Sequence, residues 1–140
     1  PTACFLSPAT FREFSGRSIA QIVRHIDAIP VLHVCGNTTS LSEEMAATGV
    51  QGISLDAMVD LEAVVKRVPR DCVVMGNIDP VRVMVNQSPE GVRRAVRELC
   101  AKMSPYENFI LATACDLPPE TPLENIVAFV DEGKRQKQPR

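Results

Sequence analysis

The chain has 140 residues, of which 45% are hydrophobic and 23% charged, a balance that suits one globular domain with a core of its own. Its 15 Lys and Arg are scattered among 17 Asp and Glu, for a formal net charge of -2, so no extended basic face is offered to a phosphate backbone and nucleic acid is not an expected partner. No apolar run approaches the roughly 20 residues of a membrane span and no basic-then-apolar leader opens the chain, so the expectation is a cytoplasmic protein without a membrane partner.

Ser7-Pro8 introduces a segment, Ala9 to Ile29, in which Phe11, Phe14, Ile19, Ile22, Val23 and Ile26 recur at helical spacing. Gly16 is expected to interrupt this helix and Pro30 to stop it. Four units of one kind follow, each a short β-type run, a loop and a helical pattern. The runs are VLHV (Val31 to Val34), GISL (Gly52 to Leu55), CVVM (Cys72 to Met75) and NFILAT (Asn108 to Thr113). The helical patterns begin at Leu41, Asp60, Pro89 and Pro122. Ser40 with Glu43, Ser88-Pro89 and Thr121-Pro122 each place a capping residue before a first turn, and Gly49 marks a helix end. Residues 134–140 are expected to be a flexible tail.

Strands that alternate with helices of this length imply parallel pairing through right-handed crossovers, hence an α/β fold. Four units are too few for a (β/α)8 barrel, which takes about 250 residues. The chain opens at Pro1 and runs through a long helix before its first strand, as though an earlier strand were missing. The expectation is a single partial domain over 1–140, the C-terminal half of a TIM-type barrel, covered by a missing N-terminal half or by a homo-oligomeric partner. An isolated half would expose sheet edges and one side of its core.

In parallel α/β folds ligands bind beyond the carboxyl ends of the strands. Here the first run carries His33 and is followed by Cys35, Gly36 and Asn37, the second is followed by Asp56, the third by Gly76, Asn77 and Asp79, and the fourth by Cys115 and Asp116. His33 and Cys35 are two apart and share one strand face. With Cys115 they make a borderline-soft set, two thiolates and an imidazole, suited to Zn(II); three protein ligands and one open position describe a catalytic rather than a structural site. The same residues also have ordinary readings. A buried Cys is usually a small apolar residue, Gly-Asn and Asp-Pro are turn dipeptides, and Asp56 can cap a helix. Asp56, Asn77 and Asp79 are candidates to bind substrate or to support the ligands from behind. Pro118 and Pro119 should hold Cys115 in a fixed direction. The five cysteines are odd in number and widely spaced, so reduced thiols are expected, with Cys72 and Cys100 as core residues. His25, within a helical run, has no assigned role.

HVCGN, GISLD, GNIDP and the closing ILATACDLPPETPLENIVAFV together resemble the C-terminal half of the uroporphyrinogen decarboxylase superfamily, and within it the methylcobamide:coenzyme M methyltransferase branch. SPATFREF resembles the segment that precedes that half. The resemblance implies a (β/α)8 barrel with its site at the strand carboxyl ends. It implies zinc ligands at His33, Cys35 and Cys115, because methyltransferases of this branch carry a His-x-Cys pair and a distant Cys. True decarboxylases lack that pair and have a His near the place of Cys115. The implied activity is transfer of a methyl group from a methyl-corrinoid, either on a corrinoid protein or as free methylcobalamin, to a small thiol such as coenzyme M. A zinc-bound thiol is held as thiolate and would attack the methyl group, releasing Co(I) corrinoid. Two other readings stand beside it: decarboxylation of a porphyrinogen, and a non-catalytic zinc- or corrinoid-binding module whose fourth ligand comes from the protein.

Overall fold

The computed structural model describes residues 2–136. Four short runs rich in β-branched and apolar residues become the strands β1 (Val31–Val34), β2 (Gly52–Leu55), β3 (Val73–Ile78) and β4 (Phe109–Thr113). They form one parallel sheet in the order β1-β2-β3-β4. Leu32, Ile53, Val74 and Phe109 are register partners, and so share one face. That face meets the helices, and Ile53 and Val74 are fully buried. The next set along, His33, Ser54, Met75 and Ile110, points the other way, where Ile110 keeps 47% of its surface exposed. This is the alternation of a barrel wall, with its outer face packed and its inner face open.

The helical layer is α1 (Pro8–Thr10), α2 (Arg17–Val23), α3 (Ser42–Ala46), α4 (Leu61–Val65), α5 (Pro89–Met103) and α6 (Leu123–Arg135). Phe11, Leu41, Met45, Leu55, Val64 and Met103 join Ile53 and Val74 in the larger core. Ile78, Met84, Val92, Val96 and Ala128 form a second core under α5 and α6. Each fully buried Leu, Ile or Phe contributes roughly 1.5–3 kcal/mol of transfer free energy. The Ser88 hydroxyl accepts from Gly91 N at 3.3 Å and Pro89 stands in the first turn of α5, so that helix begins where its sequence signals place it.

Several local expectations are corrected. The first helix ends at Val23, well before Pro30. Gly16 does not break it: residues Phe11–Gly16 widen into π turns between α1 and α2, and Gly16 is buried. Phe11 is buried, but Phe14, Ile22 and Ile26 are 68%, 60% and 42% exposed, since only one side of this helix finds a partner among the described residues. Ser40 caps nothing; it lies in a 3-10 turn, Thr39–Leu41, and α3 starts without a side-chain cap. Thr121 also leaves α6 uncapped, because its hydroxyl donates to Pro118 O at 2.7 Å. β3 continues through Gly76, Asn77 and Ile78, where a turn was expected, because those residues pair with Leu111, Ala112 and Thr113 of β4. Finally, α6 runs through Lys134 and Arg135, the start of the expected tail; residues 137–140 of that tail lie outside the described residues.

Candidate metal centre

Strand alternation aims His33 at the open face, and the chain then turns at Gly36, whose φ of +86° suits glycine. A Cβ there would stand 2.8 Å from Cys4 Sγ, so a bulkier residue would have to displace that side chain as well. The turn leaves Cys35 beside His33, with Nε2 and Sγ 3.2 Å apart. Across the sheet, Cys115 follows β4, and its Sγ lies 3.7 Å from that of Cys35. The two thiols come from opposite edges of a four-stranded sheet. In a flat sheet three spacings of about 4.8 Å would hold those ends roughly 14 Å apart. Both thiols lie just beyond their strands and turn toward each other, and the three donor atoms of His33, Cys35 and Cys115 all lie within 4.8 Å of one another.

The segments that carry the two thiols are braced by hydrogen bonds between side chains and main chain. The Asp56 carboxylate, at the end of β2, accepts from Gly36 N at 2.9 Å and from Met58 N at 3.0 Å, tying the Cys35 turn to its neighbouring strand. Asn77 donates through Nδ2 to the main-chain oxygens of Asp56 at 2.9 Å and Val59 at 2.8 Å. Thus β3 braces the β2 loop, and that loop braces the β1 turn. Asn37 accepts from Thr39 N and Oγ1, closing the segment after the glycine. The Thr113 hydroxyl donates to Cys115 O at 2.9 Å, and Ala114 N donates to Ile78 O at 2.8 Å, so Cys115 is fixed from β3 and β4.

Asp79 stands apart from this group. Its Oδ1 accepts from Val81 N at 2.9 Å and Arg82 N at 2.7 Å, capping the helical turn Pro80–Val85. Asn77 and Asp79 also line a cavity of about 390 Å³ with Arg82 and Gln87, and none of His33, Cys35 and Cys115 lines it. His25 is exposed and its Nδ1 bonds Gln21 O at 2.8 Å. Cys72 is buried and Cys100 half-buried; burial pushes both thiols up. Sequence reasoning missed Ser54 and Thr113. Ser54 is the register partner of His33, and both precede a singled-out residue by two positions, the one signal that points to them.

The electrostatics favour a cation. Cys35 is held above the ordinary thiol value, first by its hydrogen bond with Cys115, then by partial burial and the negative charge of Cys115 and Asp56. Two thiolates this close beside a carboxylate repel each other unless positive charge lies between them. A divalent ion at the three donors removes that penalty, and a set of two sulfurs and one imidazole nitrogen fits Zn(II) in ligand type and number.

Residues 2–136 match the uroporphyrinogen decarboxylase (URO-D) family. The chain belongs to that family. Similar proteins include the methylcobamide:CoM methyltransferase MtbA of Methanosarcina acetivorans, 33% identical over 121 residues, which are 86% of this chain and 34% of MtbA. They also include a uroporphyrinogen decarboxylase of Prochlorococcus marinus, 31% identical over 134 residues, 93% of this chain and 38% of that enzyme. The chain therefore spans little more than a third of these relatives. A solved methyltransferase structure from Methanosarcina mazei superposes with a TM-score of 0.85 over 96% of this chain and 40% of its own, at 23% identity. The four-stranded unit is thus an α/β piece of a TIM-type barrel in a family of enzymes that includes methyltransferases and decarboxylases. No helix among the described residues is long and apolar enough to cross a membrane.

Proposed function

We propose that this chain carries the zinc-binding half of a methyltransferase that moves a methyl group from a methyl-corrinoid to a small thiol. The observation that carries the proposal is the convergence of His33, Cys35 and Cys115 within 4.8 Å at the carboxyl ends of the strands. When bound there, Zn(II) would supply Lewis acidity that keeps a thiol substrate in its thiolate form at neutral pH. The protein's part is to hold three donors and leave one position to the substrate. His33 would hold the ion through Nε2, and Cys35 and Cys115 through Sγ. Two anionic sulfurs keep the substrate sulfur electron-rich and nucleophilic, which three imidazoles would do less well. Asp56 and Asn77 fix the Cys35 turn.

The partners follow from this reading: a corrinoid protein or free methylcobalamin as methyl donor, a thiol such as coenzyme M as acceptor, and further polypeptide over the open sheet face. Phe14, Ile22 and Val31 at one edge, and Leu123, Val127 and Val130 at the other, are the apolar surfaces such a polypeptide would cover. Family membership alone also admits porphyrinogen decarboxylation, and the paired His33 and Cys35 favour methyl transfer over it.

Metal analysis of the intact polypeptide, repeated on Cys35→Ser and Cys115→Ser, tests the proposal. Stoichiometric zinc and methyl transfer to thiol are expected in the parent, with both lost in the variants. Zinc retained in full by both variants, or carbon dioxide released from uroporphyrinogen in place of methyl transfer, overturns it. A closed site held by a fourth protein ligand is recognised by zinc X-ray absorption that does not change when thiol is added.

A further inference from the structure

His33 is held from behind as well as aimed forward. Its Nδ1 lies 3.2 Å from the main-chain oxygen of Ser54 and 3.1 Å from Ser54 Oγ, while its Nε2 faces Cys35 Sγ at 3.2 Å. A carbonyl oxygen can only accept a hydrogen bond, so the proton of the neutral imidazole belongs on Nδ1. Nε2 is then left with its lone pair, pointing at the two thiols. The other tautomer would put an N–H toward the sulfurs and leave Nδ1 facing the carbonyl lone pairs.

We propose that Ser54 is the positioning residue that sets the tautomer and ring orientation of His33. The inference rests on the metal reading above. In-register pairing of β1 with β2 places Ser54 beside His33 on the open face of the sheet, where it is half-buried. One residue thereby presents two acceptors to one N–H. The carbonyl favours the proton on Nδ1, and the hydroxyl oxygen holds the ring plane against rotation and keeps water from taking its place. A metal-bound histidine commonly donates its second N–H to a carboxylate, a carbonyl or water. Here a strand neighbour accepts that N–H, with no acidic group added to a site that already holds two thiols and Asp56.

The test uses the intact polypeptide with zinc alone as the probe. Zinc affinity is measured by competition with a chromophoric chelator for the parent, Ser54→Ala and Ser54→Thr, with urea midpoints confirming that each is folded. Loss of an outer partner typically weakens metal binding by roughly 10–100-fold, so about tenfold weaker binding is expected for Ser54→Ala, whose carbonyl remains. Ser54→Thr keeps the hydroxyl and restores parent affinity. Long-range nitrogen–proton NMR of the zinc-loaded parent is expected to show His33 protonated at Nδ1 and metal-bound at Nε2. Equal zinc affinity in folded Ser54→Ala and parent, or a proton on Nε2 in the loaded parent, overturns the Ser54 assignment and leaves the metal reading standing. A parent that binds no zinc overturns both.

Discussion

Two groups of ionisable side chains in this molecule treat charge in opposite ways. Between α5 and α6, buried Glu132 is approached by Arg97 at 3.4 Å, Arg135 at 3.8 Å and Arg93 at 4.0 Å, with Gln136 donating to its other oxygen at 2.8 Å. Its charge is answered within the chain. At the strand carboxyl ends, Cys35 and Cys115 gather with the His33 imidazole, Asp56 lies close to Cys35, and no Lys or Arg is ion-paired to any of them among the described residues. A self-balanced cluster is a joint between helices. A cluster of thiols and a carboxylate with no Lys or Arg paired to it among the described residues suits a cation from outside, in keeping with the metal reading.

Removing Cys115 should break the contrast most sharply. Outer-partner losses weaken metal binding by roughly 10–100-fold, and Cys115→Ser, which removes a ligand, is expected to exceed about 100-fold in a chelator competition while the urea midpoint of the zinc-free protein stays near that of the parent. Glu132→Ala should do the reverse. Breaking a buried ion pair costs about 3–5 kcal/mol, and because Arg97 and Arg135 reach solvent we expect about 2–3 kcal/mol in urea unfolding, with zinc affinity unchanged. Asp56→Asn keeps one oxygen acceptor for two N–H donors, so it should cost about 1 kcal/mol of stability and roughly tenfold in zinc affinity, touching both measurements.

The smallest effect belongs to Asp60, which caps α4 by accepting from Glu62 N and pairs with Lys102 of α5 at 2.7 Å. The hydrogen bond to Lys102 holds its carboxyl below the usual value of 3.8. A depressed carboxyl contributes stability that is present above that value and is lost as pH falls through the lowered one. Asp60→Asn should therefore cost about 0.5–1 kcal/mol at neutral pH and flatten the loss of stability on acidification below about pH 4, seen as a shallower fall of the urea midpoint than in the parent.

Much of the fold was legible because the signals were local. β1 and β2 carry the bounds their apolar runs suggest, and α5 begins after Ser88. β3 was read too short because Gly76 and Asn77 look like a turn. Gly76, with φ +143° and Leu55 O 3.0 Å from any added Cβ, is needed inside the strand for close passage past β2. The first helix was overread because periodicity marks which residues are apolar and not which have a partner; Phe14 and Ile22 lack one among the described residues. In the site, the placement of His33 beside Cys35 followed from a period of two, and Cys115 from the strand-end rule. Ser54 carries only a faint signal, its place two residues before Asp56, since which residue sits beside a histidine depends on register between strands, and no single strand records it.

Cys35 and Cys115 are 80 residues apart in sequence and touch at the sheet's two margins. An ion gripped by both acts as a crosslink that closes nearly the whole sheet into one loop. In the chain-entropy view, tying a loop of that length restricts the unfolded ensemble by about 4.5 kcal/mol. Occupancy of the proposed centre would thus also fasten the barrel wall. Metal-loaded and metal-stripped protein should differ as a laced shoe differs from an unlaced one, in how readily β1 and β4 drift apart.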